Sequence, residues 1–313
     1  MRTTTPFLFA TIALFFFVVP AVSFAAPLTG EQVSAIVGLL QAFGVDQATI
    51  AQVEQTLGAP AGSPVPAPPA VLQVPTTSSP YGASSIGFDV SYGTRDYPAT
   101  SFGFGIVSVT RGKAFVNNPR LVSEFNWAKF GSAVAPTLYM NLNAPYGSSV
   151  AGHTSTPKTC PSSVSTSTEP TACEGYNYGY NAARDAYGYA KTSGTTASLW
   201  WLDIEEANSW SDTLAVNDAT IQGAIDYLNT QNVRVGVYSM GFMWNAIAGS
   251  TFVPTQTVSG VAVSTPTWLP VGIETLVGAI NSCVTRASFI SGNPIWIIQY
   301  VADATAIDQN LAC

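Results

Sequence analysis

The sequence predicts an α/β chain whose main domain is a TIM-like (β/α) barrel, preceded by a leader, a short helical hairpin and a Pro-rich linker. Three observations carry this expectation. Short apolar runs recur across residues 83–313, helical patterns lie between several of them, and hydrophobic residues make up 47% of the chain against 9% charged. Continuous apolar runs are the mark of strands covered on both faces, and intervening helices argue for a parallel sheet. So little charge excludes a disordered chain or a charge-rich coiled coil. Eleven Lys+Arg against eighteen Asp+Glu give a net charge of -7, with the basic residues scattered singly. That balance excludes nucleic-acid partners and a polybasic membrane anchor.

Residues 1–25 read as a secretory signal peptide. Arg2 precedes an apolar stretch from Phe7 to Val19, Pro20 breaks it, and Ser23-Phe24-Ala25 places small residues at a cleavage site. The stretch is shorter than the roughly 20 residues of a spanning helix. The mature chain is therefore expected outside the cell or in the cell envelope, with no membrane attachment. Residues 26–58 read as a helical hairpin. Thr29 with Gln32 forms a capping-box pattern, and Val33, Ile36, Val37, Leu40 and Phe43 follow at helical spacing. Gly44 ends that helix, and Asp46 caps a second one carrying Ile50, Val53 and Leu57. So short a module cannot bury a core of its own; an envelope partner or the main domain is its expected support. Residues 59–82 form a linker in which Pro60, Pro64, Pro66, Pro68, Pro69, Pro75 and Pro80 alternate with Ala, Ser and Val.

Residues 83–313 form the barrel domain. Strands are expected at 86–90, 104–109, 134–140, 199–204, 233–239, 268–271 and 295–301, with an eighth near Asp308, and helices at 119–130, 176–192 and 217–231. A doubly wound open sheet is the competing arrangement. Gly103 and Gly105 form a lone GxG with no third glycine, and no other phosphate-loop or cofactor motif occurs. The four cysteines, Cys160, Cys173, Cys283 and Cys313, suit an exported protein and allow three disulfide connectivities. No Cys-x-x-Cys occurs and His153 is the single histidine, so no metal site is expected. His153 lies in a Ser/Thr/Gly-rich stretch and reads as a solvated loop residue.

With so few charges, the position of each carboxylate is informative. Asp89 closes the first strand, and Asp203 and Glu205 close the fourth. Residues i and i+2 of a strand share a face, so Asp203 and Glu205 project side by side at the carboxyl end, where such barrels hold their active sites. Two neighbouring carboxylates among tryptophans resist double ionisation, which raises the proton affinity of one and suits it to general acid catalysis. A structural pair held by an Arg is the alternative. Tyr139, Tyr238 and Trp296, at strand ends, are the candidate aromatic residues of the site.

These motifs resemble glycoside hydrolase family 25, the lysozyme-type muramidases. Gly87-Phe88-Asp89-Val90-Ser91 is similar to the family's opening motif, and Leu202-Asp203-Ile204-Glu205 to its Asp-x-Glu strand. Leu138-Tyr139, Val237-Tyr238-Ser239, Trp296-Ile297-Ile298-Gln299-Tyr300 and Ile307-Asp308 follow in the family's order. The resemblance implies a (β/α) barrel that hydrolyses the β-1,4 bond between N-acetylmuramic acid and N-acetylglucosamine in peptidoglycan. It implies Glu205 as acid, Asp203 as stabiliser of the oxocarbenium-like transition state or orienter of the N-acetyl group, and Asp89 and Asp308 as polar partners at the same mouth.

The chain also departs from the family. Arg111 stands where the second strand commonly ends in Glu, and it is expected either to neutralise a carboxylate or to bind a substrate carboxylate. Met140 replaces the family's third-strand His, and residues 144–175 are a long insertion. These departures favour an alternative, a non-catalytic wall-binding or scaffolding module on a degenerate barrel. A glycosidase of another polysaccharide is a third reading.

Overall fold

The computed structural model describes residues 29–42, 50–51, 53, 79–94, 96–98, 101–145, 153–161, 169–302 and 307–313. The signal peptide and most of the Pro-rich linker lie outside the described residues. The chain divides into two compact units, Met1–Leu72 and Gln73–Cys313.

In the first unit, helix α1 (Gly30–Ala42) starts at the expected capping box. The Thr29 amide donates to Gln32 Oε1 at 2.9 Å, and the Gln32 amide donates to Thr29 Oγ1 at 3.3 Å. Val33 and Val37 are buried together with Ile50. Phe43, Gly44, Asp46 and Leu57 lie outside the described residues.

The second unit contains a closed barrel. Its strands are β1 (Ile86–Val90), β2 (Phe104–Ser108), β3 (Thr137–Asn141), β4 (Leu199–Asp203), β5 (Arg234–Tyr238), β8 (Thr267–Ile273), β9 (Ile295–Val301) and β10 (Gln309–Ala312). They close in the order β1-β10-β9-β8-β5-β4-β3-β2. Between them lie helices α2 (Leu121–Gly131), α3 (Ala172–Thr192), α4 (Leu214–Thr230), α5 (Gly241–Ala248) and α6 (Leu276–Thr285). Strands β6 (Gln256–Val258) and β7 (Val261–Val263) form a separate antiparallel hairpin that the sequence reading did not foresee.

The eighth strand differs from expectation in direction. β10 runs antiparallel to both β9 and β1, while the remaining barrel neighbours are parallel. A parallel return needs a crossover of about a dozen residues or more. Only residues 302–308 separate β9 from β10, so the chain turns straight back.

Strand alternation sorts the side chains into two cores. On β4, Trp200 faces the helices and Trp201 the barrel interior, both fully buried. Leu138, Met140, Leu202, Val235 and Val237 join Trp200 in the outer core against α3 and α4. Phe104, Ile106, Tyr139, Leu199, Trp201, Trp268, Trp296 and Ile297 fill the interior. Helix α3 begins at a capping box of Thr171 and Glu174 and packs closely on α4. A Cβ on Gly179 would lie 1.8 Å from the Thr220 carbonyl oxygen, so only glycine permits that approach.

Tyr81, counted with the linker in the sequence reading, belongs to the barrel. Its ring is buried in the interior, and its hydroxyl bonds Thr137 Oγ1 at 2.8 Å and accepts from Trp201 Nε1 at 3.0 Å. A large aromatic ring with a polar tip finds both an apolar wall and a donor there. The cysteines pair as Cys160–Cys173 and Cys283–Cys313. The first ties the insertion to the start of α3, and the second ties α6 to the C-terminal residue.

Candidate active site

The same alternation carries a set of polar side chains to the carboxyl ends of the parallel strands. Below them the interior is apolar; at the top, the inward positions are Asp89 on β1, Asn141 on β3, Asp203 on β4, Tyr238 on β5 and Gln299 on β9. Here lies a pocket of about 160 Å³. Asp89, Asp203, Glu205 and Asp308 line it, together with Tyr139, Tyr238, Trp268 and Gln299. Six residues singled out from the sequence, Asp89, Tyr139, Asp203, Glu205, Tyr238 and Asp308, therefore meet in one place. Among the described residues no basic side chain lines the pocket, and no group of three or more His, Cys, Asp or Glu side chains is arranged to hold a metal ion.

Asp203 ends β4 in register with Asn141 on β3 and Tyr238 on β5. Asn141 Nδ2 donates to Asp203 Oδ2, while Asp203 Oδ1 is buried with no protein partner. Asn141 is itself held: its Oδ1 accepts from the Thr110 hydroxyl at 2.9 Å and from the Gly112 amide at 3.1 Å. Asp89 is held from the other side of the barrel. Its Oδ1 accepts from Asn310 Nδ2 at 2.7 Å and Gln299 Nε2 at 3.0 Å. Gln299 Oε1 in turn accepts from the Tyr238 hydroxyl at 2.9 Å. The amide thus links Asp89 to the tyrosine beside Glu205.

Four carboxylates gathered in one pocket must share the cost of ionisation. Burial first, then the charge of Asp308, raises Asp89 to about 7, against the pull of its Asn310 and Gln299 donors. Burial, followed by the charges of Glu205 and Asp89, holds Asp203 well above the ordinary carboxylate range. Glu205 is raised by burial and by Asp308, with the Tyr238 hydroxyl pulling the other way, and burial raises Asp308. The pocket accordingly retains protons at pH values where ordinary carboxylates have lost them. Glu205 lies beyond the strand end and is half-exposed, and Asp308 is exposed, whereas Asp89 and Asp203 are buried.

Several expectations are corrected. Trp296 is not a pocket residue. It is the second residue of β9, at the strand's amino end, and packs in the interior with Trp201 while the Arg234 guanidinium stacks on it at 4.2 Å. Arg111 is exposed and lies over the Tyr92 ring at 4.4 Å rather than lining the pocket. Its charge is absorbed by an aromatic face outside the carboxylate cluster. Met140 faces the helices and is fully buried in the outer core, so the departure from His at that position leaves the pocket untouched. His153 lies in a loop, as expected, but is half-buried rather than freely solvated. It stacks on Phe115 with ring centroids 3.9 Å apart, and its loop is clamped by Asn181 Nδ2, which donates to the carbonyls of His153 and Thr156.

Sequence reasoning missed Asn141, Gln299, Trp268 and Asn310. Gln299 stood inside a quoted motif, and Asn141 lies two residues beyond Tyr139 on the same strand face. Alternation from Tyr139 would have found Asn141. Asn310 carried no signal, because its role arises only where β10 crosses β1.

Comparisons with known proteins follow this geometry. Residues 167–259 match the family described as "Lysozyme-like protein 1". That segment holds α3, β4 with Asp203 and Glu205, and β5 with Tyr238. No curated protein matches the chain. Similar solved structures include the bacterial lysozyme from Streptomyces coelicolor, at 14% identity over 73% of this chain and 91% of that one, with a TM-score of 0.44. The catalytic domain of endolysin ply40 from bacteriophage P40 of Listeria monocytogenes is similar at 16% identity, over 73% and 92%, with a TM-score of 0.42. The Clostridium perfringens spore cortex lytic enzyme SleM is similar at 12% identity, over 74% and 67%, with a TM-score of 0.46. The chain is thus similar to lysozyme-like proteins over the segment that holds its paired carboxylates.

Proposed function

We propose that the protein is a secreted glycosidase that hydrolyses the β-1,4 N-acetylmuramic acid–N-acetylglucosamine bond of peptidoglycan. One observation carries this reading: Asp89, Asp203, Glu205 and Asp308 meet in a pocket that no basic side chain lines among the described residues, and all four hold protons more tightly than usual. Glycoside cleavage needs a protonated carboxyl group beside the leaving oxygen and further carboxyl groups to support positive charge at the sugar. Glu205, half-exposed at the mouth, protonates the glycosidic oxygen. Asp203 and Asp89 act on the sugar whose bond breaks, and Tyr139, Tyr238 and Trp268 supply ring faces and hydroxyls for its edges. The lysozyme-like match across Asp203 and Glu205 supports the same chemistry.

In this reading residues 1–25 direct export, and the two disulfides suit an oxidising compartment. Residues 26–58 are an envelope-docking module joined to the barrel by the Pro-rich segment. The test is release of reducing ends from purified peptidoglycan by the wild-type chain and by Glu205→Gln. The wild type releases them, and the variant, which keeps the shape and loses the acid, falls by about 10²–10⁴-fold. A folded wild-type chain that sediments with the wall but releases nothing overturns the enzyme and leaves the wall-binding module.

A further inference from the structure

Helix α6 is fastened on one side and bare on the other. Ala279 and Ser282 turn inward and are buried, and Cys283 is bonded to Cys313. The outer side carries Leu276, Val277, Ile280 and Val284, and Ile273 at the end of β8 extends the same patch. Ile273, Val277 and Val284 are 66%, 67% and 84% exposed, so the barrel leaves them open to water. Val277, Ile280 and Val284 follow at intervals of three and four residues, the spacing of a seam between two helices, and all three are β-branched. Together the five side chains expose on the order of 500 Å², the size at which an apolar patch marks a contact surface.

The charges of this segment say what covers it. Helix α6 itself carries none. Glu274 stands two residues before the helix and Arg286 directly after it, so Ile280 lies midway between them. Around a two-fold axis at Ile280, two antiparallel copies of α6 bring Glu274 of each chain to the partner's Arg286, and Leu276 to the partner's Val284. A parallel pairing instead sets Glu274 on Glu274 and Arg286 on Arg286. Both charged groups have capacity to spare. Among the described residues Glu274 uses only Oε1, which accepts from the Thr275 amide at 2.7 Å and the Thr275 hydroxyl at 3.2 Å. The Arg286 side chain is exposed and joins no ion pair among the described residues. A lipid surface is a poorer match, because a segment with one cation, in a chain of net charge -7, gains nothing from anionic headgroups.

We infer that the outer face of α6 is a self-association surface, on which two copies of the chain pack with antiparallel helices about a two-fold axis at Ile280. Covering the patch on both chains removes about 1,000 Å² from water, the lower limit for a specific interface. The dimer therefore forms at micromolar rather than nanomolar concentration. Helix α6 runs back from the carboxyl end of β8, so antiparallel packing points the two mouths in opposite directions and leaves both pockets open. The inference does not depend on the glycan reading.

The test is sedimentation velocity of the full chain, disulfides intact, from about 1 to 200 µM, with Tm measured for every variant. The wild type passes from one chain to two across that range. Ile280→Lys sets two like charges on the axis and stays a single chain throughout, with the Tm of the wild type because the side chain points outward. Glu274→Arg and Arg286→Glu each weaken association about tenfold or more, by opposing like charges. The double variant, Glu274→Arg with Arg286→Glu, restores it. A wild type that remains a single chain at the highest concentration overturns the inference, and so does association that Ile280→Lys leaves intact. Single swaps without effect, or a double variant that has the Tm of the wild type yet stays dissociated, overturn the antiparallel axis.

Discussion

Replacing Asp89 with Asn should flatten the dependence of stability on pH. The native side chain accepts Asn310 Nδ2 and Gln299 Nε2 on one oxygen, Oδ1. An asparagine oxygen in that place accepts the same two bonds, so the substitution removes charge with little loss of contact. The native carboxyl group is raised from 3.8 to about 7, chiefly by burial and next by Asp308. Because the folded state holds the proton more tightly than the unfolded chain, the stability it contributes is complete below the unfolded value. It is lost as pH rises through the folded one. The full span is worth about 4 kcal/mol, and the part lost between pH 5 and pH 8 is about 2–3 kcal/mol. Asp89→Asn has no proton to lose there. It should therefore gain about 2–3 kcal/mol on the wild type between the two pH values, or roughly 5–10 °C in Tm for a domain of this size. Neutralising position 89 also removes a charge that opposes ionisation of Asp203, which adds to the gain. The assay is urea unfolding at pH 5 and pH 8 with disulfides intact, followed by tryptophan fluorescence. Wild-type and variant stabilities that run parallel within about 0.5 kcal/mol refute the reasoning, because Asp89 would then ionise as freely in the folded chain as in the unfolded one.

Further predictions follow from the corrected positions. Arg111→Ala should leave the pH profile of cleavage unchanged, since the guanidinium stacks on Tyr92 outside the pocket; a displaced alkaline limb in the rate profile counts against this placement. Trp296→Ala should cost about 3–5 kcal/mol of stability as a buried aromatic truncation. Its KM for soluble glycan should hold at temperatures where the variant is folded, and a selective rise in KM would return Trp296 to the site. Cys160→Ala with Cys173→Ala should cost about 3 kcal/mol in thermal unfolding, in line with the short loop they close. Comparing the melts with and without reductant checks this, because the variant, which keeps only Cys283–Cys313, should lose less stability on reduction than the wild type.

The carboxylate pair was legible in the sequence for a physical reason. Asp203 and Glu205 stand two apart at the end of an apolar run, in a chain with few charges to place elsewhere. Period-2 alternation is a local property of the strand, so it reveals which side chains share a face without knowledge of the partners. The same rule separates Trp200 from Trp201. Trp296 was misassigned although the expected strand 295–301 already put it at the amino end, the pole opposite the carboxyl-end mouth.

The neutral amides were opaque for a different reason. Asn141 and Gln299 acquire their roles from Asp203 and Asp89, which lie 62 and 210 residues away along the chain. Strand alternation can place such a side chain on the inward face, but local spacing carries no trace of which carboxylate it meets. Arg111, by contrast, was visible as a charge near the expected mouth, yet its direction depended on Tyr92 reaching it from the preceding loop.

By itself, then, the sequence determined the succession of the barrel strands and of the three longer helices between them, the side chains that share a strand face, and the carboxylates that face the mouth. These follow from backbone geometry and the burial of apolar side chains, which act over a few residues. Tertiary structure alone decided the reversed direction of β10, the lodging of Tyr81 in the barrel and the orientation of Asn141 against Asp203. Each of those depends on closing the barrel, an event that brings distant segments within hydrogen-bond reach and gives their polar groups partners that no local pattern encodes.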